Sequence, residues 1–445
     1  MHPIQRGMYL ALVLPLCTAA LASAQTPIDA RLMTYITTIR AVDNHAHPMR
    51  PVAAGQPADS EFDALPLDGI PAFALPARLR PESPQWGAAA RALYGVRGDT
   101  GSAYKDALKG ARARVLKDRA DKFAEWSLDQ AGIDVMLANR IALGPGLAAP
   151  RFRWVPFADA LMLPLDTRAE AARTPDTKSL YPKEAALLRR YMRDLHLTAL
   201  PAALDAYVKQ VVTPTLESQH GAGAVAIKFE AAYLRPLDFD EPDPALAARV
   251  YARFAKGGTP SHAEYKALED YLFRVIAREA GRLGMAVHIH MTEGFGGFYS
   301  ARGAAPYTLE PVFNDSTLRK TNFVIIHGGW PIVPQTLAML GKPNVYADIS
   351  MMTLFIEPYQ LSVALRQWLG EWPDKVLFGS DAFDNSPDYG WEQAAFAGAT
   401  SARRALAMAL TAMMRDDEIS RKRAESIARM VMRDNASGLY HLGLK

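Results

Sequence analysis

The sequence predicts a (β/α)8 barrel, and two observations carry the prediction. Eight short runs of apolar and β-branched residues recur along the chain, separated by stretches long enough for a helix. The histidines and acids suited to metal or acid–base chemistry stand mostly where these runs end. Strand then helix, repeated eight times with the chemistry at strand ends, is the pattern of that fold.

The runs are Arg40–Asn44, Ile133–Leu137, Phe152–Pro156, Ala224–Lys228, Met285–Ile289, Phe323–Ile326, Val345–Ile349 and Val376–Gly379. Several are apolar throughout, as strands covered on both faces must be. Between them lie alanine-rich, helix-favouring segments such as Glu264–Ala280, where Gly281 and Gly284 mark a stop before the next strand. Such barrels need about 250 residues, and residues 25–445 exceed that. The surplus falls in two long gaps, residues 51–131 after the first strand and 158–222 after the third, which are expected to form helical caps over the mouth. Residues 401–445 have helical periodicity and would close the barrel or pack beneath it. There is no internal repeat and no low-complexity tract.

Residues 1–24 have the grammar of a secretory signal: Arg6, an apolar run from Met8 to Leu21, and the small-residue site Ala22-Ser23-Ala24. The run is short and broken by Pro15, which argues against a membrane anchor. The bulky Leu16 argues against lipid attachment at Cys17. Cleavage predicts a periplasmic or secreted protein of residues 25–445, with no membrane contact once the leader is gone. Because Cys17 is the chain's only cysteine, disulfides, thiolate metal sites and cysteine nucleophiles are all excluded from the mature chain. Apolar residues at 49% and charged residues at 22% describe an ordinary globular chain. A formal charge of +3 without a long basic run gives no footprint for nucleic acid. A small-molecule substrate is the expected partner, and a homo-oligomer is left open.

In the first run's continuation, Val42-Asp43-Asn44-His45-Ala46-His47-Pro48, strand alternation aims His45 and His47 the same way, where two imidazoles can grip one divalent ion. The fourth run ends in Lys228, the fifth carries His288 and His290, the sixth ends in His327 and the eighth in Gly379-Ser380-Asp381. Taken singly, each is an ordinary satisfied polar residue. Taken together, five of the nine histidines beyond the leader fall at three strand ends, on the face where barrel enzymes place catalytic groups. His288 lies two residues deeper than His290 on the same face, which suits a hydrogen bond in the barrel core. Arg140, Arg153, Tyr233 and Arg235 stand at or near other strand ends, a cluster suited either to a substrate carboxylate or to rim salt bridges. The loop Met291–Tyr299 mixes glycines with aromatics and could line a pocket. No Gly-x-Ser-x-Gly elbow and no phosphate loop occur.

With His-x-His after the first strand, histidines after the fifth and sixth, and aspartate after the eighth, the chain resembles the amidohydrolase superfamily, in its amidohydrolase-related branch. The segments Ala226–Arg235, Ile325–Pro331, Val376–Ala382 and Asp434–Tyr440 share in that resemblance, which spans nearly all of residues 25–445. It implies His45, His47, His290 and Asp381 as metal ligands and His327 as a ligand or electrophile, with Asp381 and His327 as the catalytic pair. Zinc is the expected ion, one or two per chain, with manganese the alternative. It further implies either a carboxylated Lys228 bridging two ions or a free Lys228 holding an anionic substrate, since an ammonium nitrogen has no lone pair for a metal. The expected activity is attack of metal-activated water on an amide, ester or lactone carbonyl of a small, carboxylate-bearing substrate. A non-oxidative decarboxylase on the same site is the first alternative. A non-catalytic periplasmic binding protein is the second, and it would have a damaged ligand set.

Overall fold

Eight parallel strands form where the eight runs stand: β1 (Ala41–Ala46), β2 (Ile133–Asn139), β3 (Phe152–Val155), β4 (Ala226–Phe229), β5 (Ala286–His290), β6 (Phe323–Ile326), β7 (Val345–Asp348) and β8 (Val376–Leu377). The computed structural model describes residues 27–444 except 51, 53–57, 67–74, 99–100, 293, 295–298 and 385–388. The leader therefore lies outside the described residues, as does much of the loop 291–299.

β1 to β3 pair in order, and β4 to β8 likewise. Backbone hydrogen bonds cross both remaining seams. Between β3 and β4, Val225 N–H donates to Trp154 O (3.0 Å) and Lys228 N–H to Pro156 O (2.8 Å). Between β8 and β1, Asn44 N–H donates to Phe378 O (2.9 Å) and Asp381 N–H to His45 O (2.8 Å). The ring of strands is thus closed, a barrel with every strand's C-terminal end on one rim.

Inside the ring, alternate side chains form an apolar layer that includes Val42, Leu137, Val155, Ala226, Ala286, Val324, Ile326 and Leu377. Each valine, leucine or isoleucine among them contributes about 1.5–3 kcal/mol when removed from water. The chain's C-terminal segment seals this layer at the end away from the site, with Ala436, Leu439, Tyr440 and Leu442 packed into it. The expectation that the C-terminal stretch packs beneath the barrel holds in this respect, whereas the long helix Trp391–Arg415 lies outside, against the helices Phe123–Ala131 and Pro358–Glu371.

The helix predicted over Glu264–Ala280 runs from His262 to Arg282. It starts earlier because Ser261 and Glu264 cap each other reciprocally, satisfying backbone N–H groups of the first turn. Between β1 and β2 stand the helices Pro84–Tyr94 and Ser102–Arg119, and the helix Phe123–Ala131 ends at Gly132 (φ 66°) and feeds β2. Between β3 and β4, Tyr181–Asp194 is helical, and a helical run over 204–221 contains one π turn at Val208–Val212. Among the described residues no helix is long and apolar enough to cross a membrane.

The seal is polar at its centre. His288 Nε2 lies 2.7 Å from Tyr440 Oη, whose hydroxyl donates in turn to Asn44 Oδ1, and all three groups are buried. Since the hydroxyl proton goes to Asn44, the imidazole must donate from Nε2. Tyr440→Phe strands one donor and one acceptor in the core. It should cost about 1–3 kcal/mol, read as a lower midpoint of denaturant unfolding with unchanged metal content.

Candidate active site at the barrel mouth

The seam between β1 and β8 assembles the first part of the site. Register with β2 breaks between Asp43 and Ala46, a bulge that re-aims the end of β1. As a result Asn44 and His45 both face the interior, where simple alternation would separate them. His45 Nε2 lies 3.3 Å from His47 Nε2 and 3.3 Å from Asp381 Oδ1, and His47 Nε2 is 3.8 Å from the same oxygen. All three residues are buried.

These spacings carry chemical information. Ligands held about 2.0–2.1 Å from one ion in a tetrahedral arrangement sit roughly 3.3 Å apart, so two nitrogens and one oxygen at these distances fit a divalent cation. Lys228 Nζ approaches His45 Nε2 at 3.3 Å. On the adjoining side His327 Nε2 and His290 Nδ1 are 3.1 Å apart, and the His45 and His327 rings are 5.2 Å apart between centroids. The structure therefore brings His45, His47, Lys228, His290, His327 and Asp381 to one place, and it sends His288 down into the barrel core.

Neighbouring groups decide which ring nitrogens stay bare. The Ser350 hydroxyl donates to Asp348 Oδ1 (2.7 Å), so toward His327 Nδ1 (2.9 Å) it can only accept. His327 then carries its proton on Nδ1 and leaves Nε2 a lone pair. His47 Nδ1 lies 3.1 Å from the Asp63 carboxylate, with the same consequence for its Nε2. The Asn139 side-chain amide is 2.8 Å from His45 Nδ1. The same amide nitrogen donates to Ala46 O (3.1 Å), so it meets His45 Nδ1 as a donor and leaves that nitrogen the acceptor.

Two buried carboxylates brace the strand ends. Asp43 accepts from the Ser380 N–H (2.8 Å) and hydroxyl (2.5 Å), and Asp348 accepts from the His327 N–H (2.8 Å) and the Asn44 amide (2.9 Å). Burial pushes Asp43 up to about 7 and Asp348 up to about 6, the hydrogen bonds opposing it. The braces hold an unusual backbone. Thr292 (φ 65°), His327 (φ 63°), Met351 (φ 59°) and Asp381 (φ 54°), which follow β5 to β8, are all left-handed. For non-glycine residues such conformations cost about 1–3 kcal/mol each and cluster at functional sites. Gly328 is left-handed too (φ 57°), and a Cβ there would meet Trp368 at 2.5 Å.

Burial and the surrounding cations hold His45 and His327 well below the usual imidazole range, in the neutral form a ligand needs. His47 goes the other way: burial opposes its charge, but Asp63, Asp381 and Glu230 together raise its pKa. Burial and the nearby Asp63 push Glu230 up to about 8. Asp381 is raised by burial, against the pull of His47 and Lys228.

Over these residues opens a cavity of about 430 Å³. His47, Glu230, Tyr233, His290, His327 and Asp381 supply polar lining, while Phe62, Leu65, Leu75 and Leu79 from the β1–β2 insertion and Met351, Phe355 and Phe383 from the rim supply an apolar wall. Tyr233 lies against His290 with ring centroids 4.5 Å apart.

The arginine cluster expected around this mouth does not reach it. Arg140 is buried in a two-pronged ion pair with Asp59 (2.8 and 3.0 Å) and also donates to Pro48 O and Ala142 O. Arg235 is bound to Glu269 (2.6 Å) and Asp270 (3.3 Å) and stacks on Phe239. Arg153 is the second residue of β3, at the strand end away from the mouth. Two of the three guanidiniums are thus spent on buried carboxylates and the third is carried near the start of its strand. Of the cluster, only Tyr233 lines the cavity.

Several participants were not singled out from sequence. Glu230 stands two residues after Lys228, so alternation could have flagged it, and Asp348 and Ser350 show the same spacing at the end of β7. Asn139 ends β2 after the apolar stretch 135–138. Asp63 had no signal, being one acid in a long insertion.

With the geometry in place, comparison with known proteins is informative. The fold is shared with solved structures of very different sequence. One is a metal-dependent hydrolase, so described without certainty, from Lactobacillus casei (14% identity, 94% of this chain and 99% of that one, TM-score 0.56). Two others are the uronate isomerase of Thermotoga maritima (12% identity, 92% and 96%, TM-score 0.53) and the glucuronate isomerase of Caulobacter crescentus (11% identity, 93% and 94%, TM-score 0.55). A search of curated protein sequences finds no significant match. The sequence profile described as Amidohydrolase matches residues 165–442, well over half the chain. The chain therefore belongs to the amidohydrolase family.

Proposed function

We propose that the protein is a metal-dependent hydrolase that cleaves an amide, ester or lactone of a small substrate. The observation that carries the reading is the approach of His45 Nε2, His47 Nε2 and Asp381 Oδ1 to 3.3–3.8 Å of one another. His45, His47 and Asp381 would hold the first ion, and zinc suits their nitrogen and oxygen atoms. His290 and His327 would complete a second site if Lys228 is carboxylated. When bound, the metal polarises the substrate carbonyl and lowers the pKa of water toward about 7.

The chain's own groups do the rest. Asp381, raised by burial, accepts the proton of the attacking water and returns it to the leaving nitrogen or oxygen. His327, with its Nδ1 proton fixed on Ser350, keeps Nε2 aimed at the reacting centre. Tyr233, buried beside His290, offers a hydroxyl to steady the oxyanion. The apolar wall excludes water around the scissile bond. With Arg140 and Arg235 committed to Asp59, Glu269 and Asp270, these two arginines no longer argue for a carboxylate-bearing substrate.

Metal analysis of purified protein should give one or two ions per chain, and His47→Ala should lose the metal and the activity together. Activity kept at normal metal content in that variant would overturn the ligand assignment. Ser350→Ala frees the His327 tautomer, and comparable outer partners of ligands are worth about 10–100-fold. The measurement is kcat/KM for the variant, with a denaturation midpoint as control. A substrate panel of amides, esters and lactones, extended to aromatic carboxylates and hexuronates, separates the chemistries. Carbon dioxide release would give a decarboxylase and ketose formation an isomerase, and either without hydrolysis would sink this reading.

A further inference from the structure

The cavity is lopsided in charge as well as in polarity. Asp63, Glu230, Asp381 and Asp384 line it, and no lysine or arginine does so among the described residues. The undescribed positions between 27 and 444 contain neither residue type in sequence. Lys228 sits fully buried behind Glu230, at 3.7 Å, and Asp159 and Glu184 are buried close by. Six acidic side chains thus stand against Lys228, the Arg112 that faces Asp384 and, in the working enzyme, the ion's charge.

Within this field Asp63 and Glu230 form a specific feature. Each presents an oxygen within 4.8 Å of the other's and of a His47 ring nitrogen. Glu230 is 4% exposed, and among the described residues its Oε2 has no hydrogen-bond partner. An acidic oxygen shielded from bulk water and given no donor would gain from an N–H brought to it. A second metal would be served poorly there, because the Asp63 carboxylate 3.1 Å from His47 Nδ1 draws the ring proton to that nitrogen and so covers its lone pair. An ammonium needs only acceptors. Beside the pair, Phe62 and Leu65 from the same insertion begin the apolar wall.

We propose that this cavity takes a small apolar molecule bearing a protonated amine, its ammonium held between Asp63 and Glu230 and its apolar part on the insertion wall. Analogues with a carboxylate in place of the amine are turned away. The assignment rests on the reading of this cavity as the hydrolase active site.

Three primary amides with one benzyl group and one scissile bond make the test: phenylalaninamide (ammonium), 3-phenylpropionamide (neutral) and 2-benzylmalonamate (carboxylate). On the metal-loaded enzyme, ammonia release should rank them in that order, with about tenfold or more in kcat/KM between first and last. Glu230→Gln, checked for metal content, should shrink the ammonium-over-neutral ratio toward one. Binding is read separately, as the rise in melting temperature of the metal-loaded protein with phenethylamine against 2-phenylethanesulfonate. Phenethylamine should stabilise and the sulfonate should not. Equal or reversed order, or no binding of the amine, overturns the inference. The expected binding order with no hydrolysis of any amide upholds it and sinks the hydrolase reading alone. A metal ion that Glu230→Gln specifically abolishes would also overturn it, by making the pair a metal site.

Discussion

The seam between the first and last strands is the constraint on which the rest depends. Asp43 on β1 accepts both the backbone N–H and the hydroxyl of Ser380, and Asp381 N–H closes onto His45 O. These bonds place residues more than 330 positions apart in sequence at ligand distance. They also hold Asp381 in a left-handed conformation it would not adopt alone. The cost is visible in Asp43, whose carboxyl burial pushes up to about 7 despite its three donors. Fold stability and site geometry therefore meet in the same few bonds.

A second theme is control of protons before any substrate arrives. Ser350 and Asp63 each fix the tautomer of a site histidine from its far nitrogen. Burial keeps His45 and His327 neutral. A metal entering beside His327 would meet a lone pair on Nε2 without having to expel a proton from it, which favours binding near neutral pH.

The insertion after β1 joins the cavity wall to this machinery. Its Phe62, Leu65, Leu75 and Leu79 wall the cavity, while Asp63, in the same stretch, reaches the outer nitrogen of His47. Structures only 11–14% identical share the barrel. Substrate choice in such a fold belongs to the loops above it, as the wall here illustrates.

Local rules sufficed for the strands, because a buried parallel strand must be apolar on both faces and its ends are where polar residues return. The pairing of His45 with His47 and the deeper place of His288 followed from two-residue alternation alone. Alternation said nothing about partners. Arg140 and Arg235 look in sequence like any rim cation, and only folding showed their charge consumed by Asp59, Glu269 and Asp270. Asp63 was equally illegible, since its role depends on where a long insertion comes to rest. What a residue is and which way it points are settled by its own stretch of chain. Which charge neutralises which is settled by distance in space, and that is a property of the closed barrel.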